Sequence, residues 1–381
     1  MIKVLFFEID KSFGGIESFL LNLISNIDLN AQNLEFDFIS SVAETEFENV
    51  CKKYGVNVIH TVSKKKILKY ASDLDRLFQE KHYDMVHIQK NSLCNLIPIY
   101  IADKNKVPYI LHAQNSAVSH KNFILTFIHH INKFFFKSVP YCKIACGELA
   151  AKWMFKKVED VVYIKNGINP DEFALDLNLR KDFRKKLKIE SGLVICNVGR
   201  FTEQKNHGFI IEIFNEVKKI IADSELLLVG DGPKMEAMKE KVSKLKLDDS
   251  VIFCGSLPRE KERVILMASD IFLLPSLYEG VSIASIEAQM AGLTLFVSDS
   301  VDISTDVTGK VQFMSLGDKP LKWAECIVNE FNSNKEPYDN LSTSQSIKRA
   351  GYDMKDTTEW LVELYGSNIV NKRTEYECKN K

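Results

Sequence analysis

The sequence predicts an α/β protein built from two doubly wound parallel sheets, and three observations support this prediction. Short apolar runs alternate with amphipathic stretches in two series, over residues 3–167 and 193–299. The runs are continuously apolar, which is typical of strands covered on both faces. At 381 residues the chain is long enough to form two cores.

The elements follow in order along the chain. The first series predicts strands at 3–9, 36–40, 56–62, 83–89, 108–114, 141–147 and 161–167, and the second at 193–199, 225–230, 251–255, 270–276 and 293–299. The polar stretch 171–191 is expected to link the domains, and 343–365 is expected to be helical. We therefore expect domains over 1–170 and 171–350, with a helix and polar tail at 351–381 packing back toward the first domain.

Charge and cysteine usage narrow the class of protein. Fifty basic and 51 acidic side chains give a net charge of −1, which does not favour a nucleic-acid partner. The eight cysteines are scattered and have no metal-ligand spacing, so they indicate a reducing, cytoplasmic compartment. No apolar run approaches the length of a spanning helix, and none is expected to act as a signal peptide.

Ligands of open α/β sheets bind beyond the carboxyl ends of the strands. Gly14 and Gly15 follow the first strand and precede a helix, where backbone N–H groups could approach a phosphate, although an ordinary turn explains them equally well. The dinucleotide fingerprint Gly-x-Gly-x-x-Gly is missing there, which disfavours nicotinamide binding. Arg200 and Lys205 follow the strand at 193–199 and could clamp a diphosphate, or each could be a solvated surface charge.

The most specific block is PSLYEGVSIASIEAQMAG at 275–292. Glu279 lies in the loop after a strand, Gly280 gives close backbone access, and a helix begins near Ser282. Carboxylates accept hydrogen bonds, so Glu279 suits sugar hydroxyls and Glu287 suits ribose hydroxyls. Taken singly, either glutamate could be an exposed helix charge.

Four runs together resemble a known family: VGRFTEQKNH, LLLVGDGP, VIFCGS and DIFLLPSLYEGVSIASIEAQMAGL. They are similar to the C-terminal domain of the retaining glycosyltransferases of family 4, which have the GT-B fold of two Rossmann-like domains facing across a cleft. GGIES and KNGINPDEF resemble the same family in the first half. The resemblance implies an acceptor-side first domain and a nucleotide-sugar-binding second domain.

The resemblance also implies roles for single residues. Arg200 and Lys205 would bind the donor diphosphate and Glu287 the ribose. The transferred sugar would be held by Glu279 and the backbone of Gly280, Val281 and Ser282. Gly15, next to Gly14, would lie near the diphosphate, and His112 would contact the sugar close to the reacting carbon. From the residues alone, His112 could equally be a hydrogen-bonded structural histidine.

The resulting expectation is a retaining transferase that moves a hexose from a UDP- or GDP-sugar to a glycan or lipid-linked acceptor in surface polysaccharide synthesis. No metal or other cofactor is expected. The alternatives are an epimerase or phosphorylase of the same fold, a nicotinamide-dependent dehydrogenase, or a binding module without catalysis.

One basic region is not explained by the expected transferase function. Residues 104–157 contain nine lysines and a single acid, Glu148. Within them, 121–137 has apolar residues at helical spacing with basic residues at the edges. Such a helix could pack on its own sheet, or it could rest on an anionic membrane surface from the cytoplasmic side.

Overall fold

The structure is a computed structural model that describes residues 1–9, 15–42, 46–114, 123–189, 192–333 and 339–367. The chain divides into two compact units. The first comprises Met1–Gly167 and the segment that begins at Asp353, and the second is Ile168–Tyr352. The first unit thus ends three residues before the predicted boundary at 170.

The first unit is a parallel sheet with helices. Its strands are β1 Ile2–Ile9, β2 Leu34–Ser40, β3 Asn57–His60, β4 Met85–Lys90, β5 Tyr109–Ala113, β6 Cys142–Ala145 and β7 Val161–Tyr163. Its helices up to this point are α1 Gly15–Ser25, α2 Glu46–Lys53, α3 Ile67–Lys81, α4 Ile97–Lys104, α5 Phe123–Phe135 and α6 Glu148–Met154. Over the described residues the strand order is β3-β2-β1-β4-β5-β6-β7.

The second unit repeats this design. Its strands are β8 Leu193–Val198, β9 Ser224–Val229, β10 Val251–Gly255, β11 Ile271–Leu274, β12 Thr294–Ser298 and β13 Val311–Met314, parallel in the order β10-β9-β8-β11-β12-β13. Its helices are α7 Pro170–Phe173, α8 Leu177–Lys186, α9 His207–Ile220, α10 Met235–Lys244, α11 Arg259–Ala268, α12 Ile283–Met290, α13 Pro320–Ser333 and α14 Asn340–Arg349. A final helix, α15 Met354–Ser367, packs with the first unit.

The continuous apolarity of the strands is explained by cores on both faces of each sheet. In β1, Val4 and Phe6 pack in a core that includes residues of α1 and α15. Leu5 and Phe7 pack in a separate core with residues of α3 and α4. Successive side chains of a strand point to opposite faces, so a run buried on both faces has no polar alternation.

Two expectations differ from the structure, and one strand was missed. The described part of the stretch expected to link the domains, 171–189, belongs to the second unit, where Arg180 and Arg184 of α8 form ion pairs with Asp270. The single helix expected at 343–365 is two helices, separated at Gly351, whose φ of +77° suits glycine. Strand β13 was not predicted. No helix of the described residues is long and apolar enough to span a bilayer.

Candidate active site

Two loops lie side by side at the carboxyl edge of the second sheet. One follows β8 and covers 199–206, and the other follows β11 and covers 275–282. The two strands are neighbours, and Asn197 of β8 donates its side-chain amide to the carbonyl of Leu273 at 2.8 Å. Because parallel strands end at the same edge, most of the predicted donor-site residues are gathered there.

Side-chain amides fasten the two loops to each other. Gln204 Nε2 donates to the carbonyl of Tyr278 at 2.9 Å, and the Gln204 carbonyl accepts the N–H of Leu277 at 2.8 Å. Asn206 Nδ2 donates to the carbonyl of Pro275 at 3.1 Å. The residue between these two amides is therefore held against the second loop.

That residue, Lys205, is paired with Glu279. Lys205 Nζ donates to Glu279 Oε2 at 2.5 Å, and the two side chains are only 15% and 16% exposed. Ser276 Oγ donates to the same carboxylate oxygen at 3.4 Å. The structure thus brings together the predicted diphosphate ligand and the predicted sugar ligand, in contact with each other.

The path of the first loop depends on close backbone packing. Arg200, the other predicted diphosphate ligand, is exposed on this loop. A Cβ added at Gly230, whose φ is +131°, would lie 2.2 Å from the carbonyl oxygen of Gly199. Only glycine allows this approach, so Gly230 helps to determine where Arg200 lies.

The second loop leads into the amino end of α12. Gly280 is exposed, and a Cβ added there would have no heavy atom within 4 Å. Val281 and Ser282 are half-buried, and Ser282 is the N-cap residue of α12. The first N–H groups of a helix carry partial positive charge. Positive groups from the lysine, the arginine and the helix therefore share one edge of the second unit.

Glu287 lies further along α12 and does not join the Lys205–Glu279 pair. It is 5% exposed, and its Oε1 lies 3.2 Å from Arg259 Nη2. Arg259 Nε also donates to Glu172 Oε2 at 3.0 Å. Burial raises the pKa of Glu287, whereas the nearby Arg259 guanidinium lowers it and the Glu172 carboxylate raises it.

The carboxylate cluster around Arg259 was missed from the sequence. Besides Glu172 and Glu287 it includes Glu262, whose pKa is raised to about 8 by burial and by the Glu287 carboxylate, against the opposing effect of Arg259. The available signal was the charged run Arg259 to Arg263 at the start of an otherwise apolar helix. Among the described residues, no cluster of acidic, histidine or cysteine side chains is arranged to hold a metal ion.

The first unit holds the remaining predicted residues. Gly14 lies outside the described residues, and Gly15 is the exposed first residue of α1. His112, near the end of β5, is fully buried, with its ring edge-on to Phe19 at 5.1 Å between centroids. Its Nε2 lies 3.2 Å from the side-chain amide of Gln114. Burial lowers the pKa of His112 to about 3, so the ring is neutral.

Part of the chain matches a known family. The family model described as glycosyl transferases group 1 matches residues 179–311. The chain is 30% identical over 227 residues to EpsF of Bacillus subtilis (strain 168), named as a glycosyltransferase, covering 58% of each chain. It is 27% identical over 246 residues to the UDP-Gal:alpha-D-GlcNAc-diphosphoundecaprenol alpha-1,3-galactosyltransferase of Escherichia coli, covering 61% of this chain and 62% of that one. The matches span less than two thirds of either relative.

The fold matches over a greater length. The crystal structure of Anabaena HepE in complex with UDP aligns with a TM-score of 0.75 at 16% identity, covering 96% of this chain and 100% of that one. At this identity the likeness concerns the fold alone. The family model and the named relatives thus show what parts of this chain are similar to. The chain has the GT-B fold, and its residues 179–311 are similar to the glycosyl transferases of group 1.

Proposed function

We propose that the chain is a retaining glycosyltransferase that moves a hexose-type sugar from a nucleotide-diphosphate sugar to a glycan or lipid-linked acceptor in surface polysaccharide synthesis. The observation that carries the proposal is the contact of Lys205 with Glu279, beside the amino end of α12. A cation, a hydrogen-bond acceptor and the positively polarised amino end of a helix lie at one edge, and together they suit a ligand that joins a diphosphate to a sugar.

Each residue has a distinct role in this proposal. Arg200, Lys205 and the amino end of α12 bind the diphosphate and stabilise the negative charge that grows on the leaving nucleotide. Glu279 accepts hydrogen bonds from sugar hydroxyls, and Glu287 accepts them from the ribose. Arg259 Nη2 lies 3.2 Å from Glu287 Oε1 and would orient this carboxylate for the ribose.

The nature of these groups supports transfer without a metal. Leaving-group charge in phosphoryl and glycosyl chemistry is stabilised by cationic side chains or by a divalent ion. Here Arg200, Lys205 and the amino end of α12 lie at one edge of the second unit. We therefore propose that no metal or other cofactor takes part.

A second element of the proposal concerns α5 and the acceptor. We propose that α5 rests on an anionic membrane surface, where a lipid-linked acceptor would be found. Several of its large apolar side chains are more than half exposed: Phe123, Ile124, Phe127, Phe134 and Phe135. Lys137, two residues beyond the end of α5, is exposed as well.

The anchoring of α5 supports this reading. His129 is buried on the opposite side, where its ring stacks on Trp153 at 3.9 Å and its Nδ1 accepts the N–H of Leu93 at 3.0 Å. Asn132 Nδ2 donates to the Leu93 carbonyl at 2.6 Å. Polar contacts thus fix one side of the helix, and its aromatic residues stay outside the core. An apolar surface beside lysines is complementary to anionic lipid.

The cysteines support a cytoplasmic location. The seven cysteines among the described residues are free thiols, and the most buried of them lie in the apolar cores. Buried free cysteines behave as small apolar residues and persist in a reducing compartment. We propose that the enzyme works on the cytoplasmic side of the membrane.

A thermal-shift panel of UDP- and GDP-sugars tests the proposed donor class. One sugar nucleotide should raise the melting temperature of the wild type, and Lys205→Ala should abolish the rise. Lys241→Ala is the matched control, since it breaks an ion pair with Glu212 elsewhere in the same unit. Stabilisation by NADH instead would favour a dehydrogenase and contradict the proposal.

Product analysis then separates the remaining alternatives. Transfer to an acceptor with the anomeric configuration of the donor supports the proposal. Interconversion of the sugar nucleotide without any acceptor would indicate an epimerase. Cleavage that depends on inorganic phosphate would indicate a phosphorylase.

A further inference from the structure

A row of three buried side chains joins the last helix to the end of β5. Tyr365 of α15 lies with its hydroxyl 2.6 Å from His87 Nδ1, although the residues are 278 positions apart. His87 Nε2 lies 3.2 Å from His112 Nδ1. All three side chains have no exposed surface. The predicted sugar-contacting histidine is therefore hydrogen-bonded, through one intermediate ring, to the C-terminal helix.

Both rings in this row are neutral. Burial lowers the pKa of His87 well below its usual value, and the adjacent His112 acts in the same direction. A neutral imidazole carries one proton, so one of its nitrogens donates and the other accepts. The hydrogen bonds of the row must therefore all run in the same direction.

Tyr365 decides that direction. Its phenol has one proton, and within the part of the chain that the structure describes His87 Nδ1 is the acceptor for it. If the phenol donates, His87 carries its proton on Nε2 and donates to His112 Nδ1. His112 then carries its own proton on Nε2. The opposite direction would leave the phenolic proton buried without an acceptor, which is the less stable arrangement.

The side-chain amides next to His112 are compatible with this arrangement of protons. A proton on His112 Nε2 requires the oxygen of the Gln114 side chain at 3.2 Å, and amide oxygen and nitrogen are interchangeable in shape. Gln114 also bonds Gln89 at 3.2 Å and Asn166 at 2.8 Å. If the oxygen and nitrogen of all three amides are exchanged, Gln114 keeps its hydrogen bonds to Gln89 and Asn166 with donor and acceptor reversed. No other hydrogen bond is broken by this exchange, because Gln89 Nε2 and Asn166 Oδ1 have no partner among the described residues.

We propose that Tyr365 is a positioning residue: through His87 it holds His112 as the Nε2–H tautomer and so sets the orientation of the Gln114 amide. Gln114 is half-buried, immediately beyond β5, and is the more accessible end of the network. Without the phenol, His112 would populate both tautomers, and only one of them offers a proton at Nε2. The effect on catalysis rests on the proposed transferase function, whereas the tautomer does not.

Nitrogen-15 NMR of histidine-labelled protein measures the tautomer directly. In the wild type, His112 should show a protonated Nε2 and an unprotonated Nδ1, with its signals assigned from their loss in His112→Gln. Tyr365→Phe should shift these signals toward a mixture of tautomers. Tyr83→Phe is the matched control, because Tyr83 is buried in the same unit and its hydroxyl donates to Asp37 at 2.6 Å, away from the row.

Kinetics give the second readout. Tyr365→Phe should lower kcat by about tenfold with little change in KM, and Tyr83→Phe should leave kcat unchanged. His87→Leu interrupts the row at its centre and should reproduce the loss, which keeps a test available if Tyr365→Phe does not fold.

Two results would overturn the proposal. One is an unchanged His112 spectrum in Tyr365→Phe, and the other is an equal loss of kcat in Tyr365→Phe and Tyr83→Phe. Absence of transfer in the wild type would contradict the proposed function instead, and the NMR spectra would still decide the proton arrangement.

Discussion

Lys205 Nζ donates to Glu279 Oε2 at 2.5 Å, across 74 positions of sequence. Both side chains are mostly shielded from water, so each charge depends on the other for compensation. A nucleotide sugar bound at this edge would compete for the same two groups. The pair therefore links the stability of the two loops to their proposed binding function.

Removal of either partner should impair catalysis strongly. We expect Lys205→Ala and Glu279→Gln each to lower kcat/KM for the sugar nucleotide by about 10²–10³-fold. The first variant would lose the cation that stabilises the leaving diphosphate, and the second would lose the carboxylate that binds the sugar hydroxyls. Steady-state kinetics check this. Lys241→Ala should change kcat/KM by less than about twofold, as expected for a partly exposed ion pair. Equal losses in all three variants would contradict a specific role.

The Glu262 carboxyl should make stability fall as pH rises. Its pKa is raised from 4.5 to about 8 in the folded state, so the folded protein binds a proton over this range that the unfolded chain has released. We expect the free energy of unfolding of the wild type to fall relative to Glu262→Gln between pH 4.5 and 8, by at most about 1.4 kcal/mol per pH unit. Urea unfolding across this range measures the difference. A parallel pH dependence of the two proteins would contradict the prediction.

His129 should act with the opposite pH dependence. Burial is the main cause that lowers its pKa to about 4 in the folded state, from an ordinary value of 6.5. The contribution of neutral His129 to the free energy of unfolding is therefore complete above pH 6.5 and is lost as pH falls toward 4. We expect the melting temperature of the wild type to drop relative to His129→Gln over this window. His82→Gln, at an exposed position, is the control and should follow the wild type.

The exposed face of α5 should be required for membrane binding. The double variant Phe127→Ser with Phe134→Ser should weaken sedimentation with phosphatidylglycerol vesicles by about tenfold or more, because two large apolar contacts are lost. The matched control replaces Ile67 and Leu68, exposed apolar residues of α3 in the same unit, by serine. Equal binding of the wild type to neutral and anionic vesicles would contradict the membrane proposal.

Transfer should survive removal of divalent ions. If Arg200, Lys205 and the amino end of α12 stabilise the leaving diphosphate, dialysis against EDTA should change kcat by less than about twofold. The assay compares dialysed enzyme with and without added Mg²⁺ or Mn²⁺. Recovery of activity only with a metal would overturn the metal-free proposal.

Local pattern in the sequence determined most of the fold. The strands at 193–199, 225–230 and 251–255 were predicted within one residue of β8, β9 and β10. These runs are buried on both faces, so their apolarity is continuous and visible without any knowledge of partners. The loop and helix start within 275–292 were likewise predictable, because the preceding strand, the glycine and the start of the helix are all local features of the sequence.

Only the tertiary structure decided which of these residues meet. Lys205 contacts Glu279, Arg259 contacts Glu287, and Tyr365 contacts His87, each across a separation that no spacing rule covers. The full burial of His112 could not be predicted from the sequence either, because it depends on contacts with Phe19 and other residues distant along the chain. A sequence specifies local conformation through nearby side chains, whereas long-range contacts follow from how strands and helices are ordered in the sheet, which the apolar pattern does not encode.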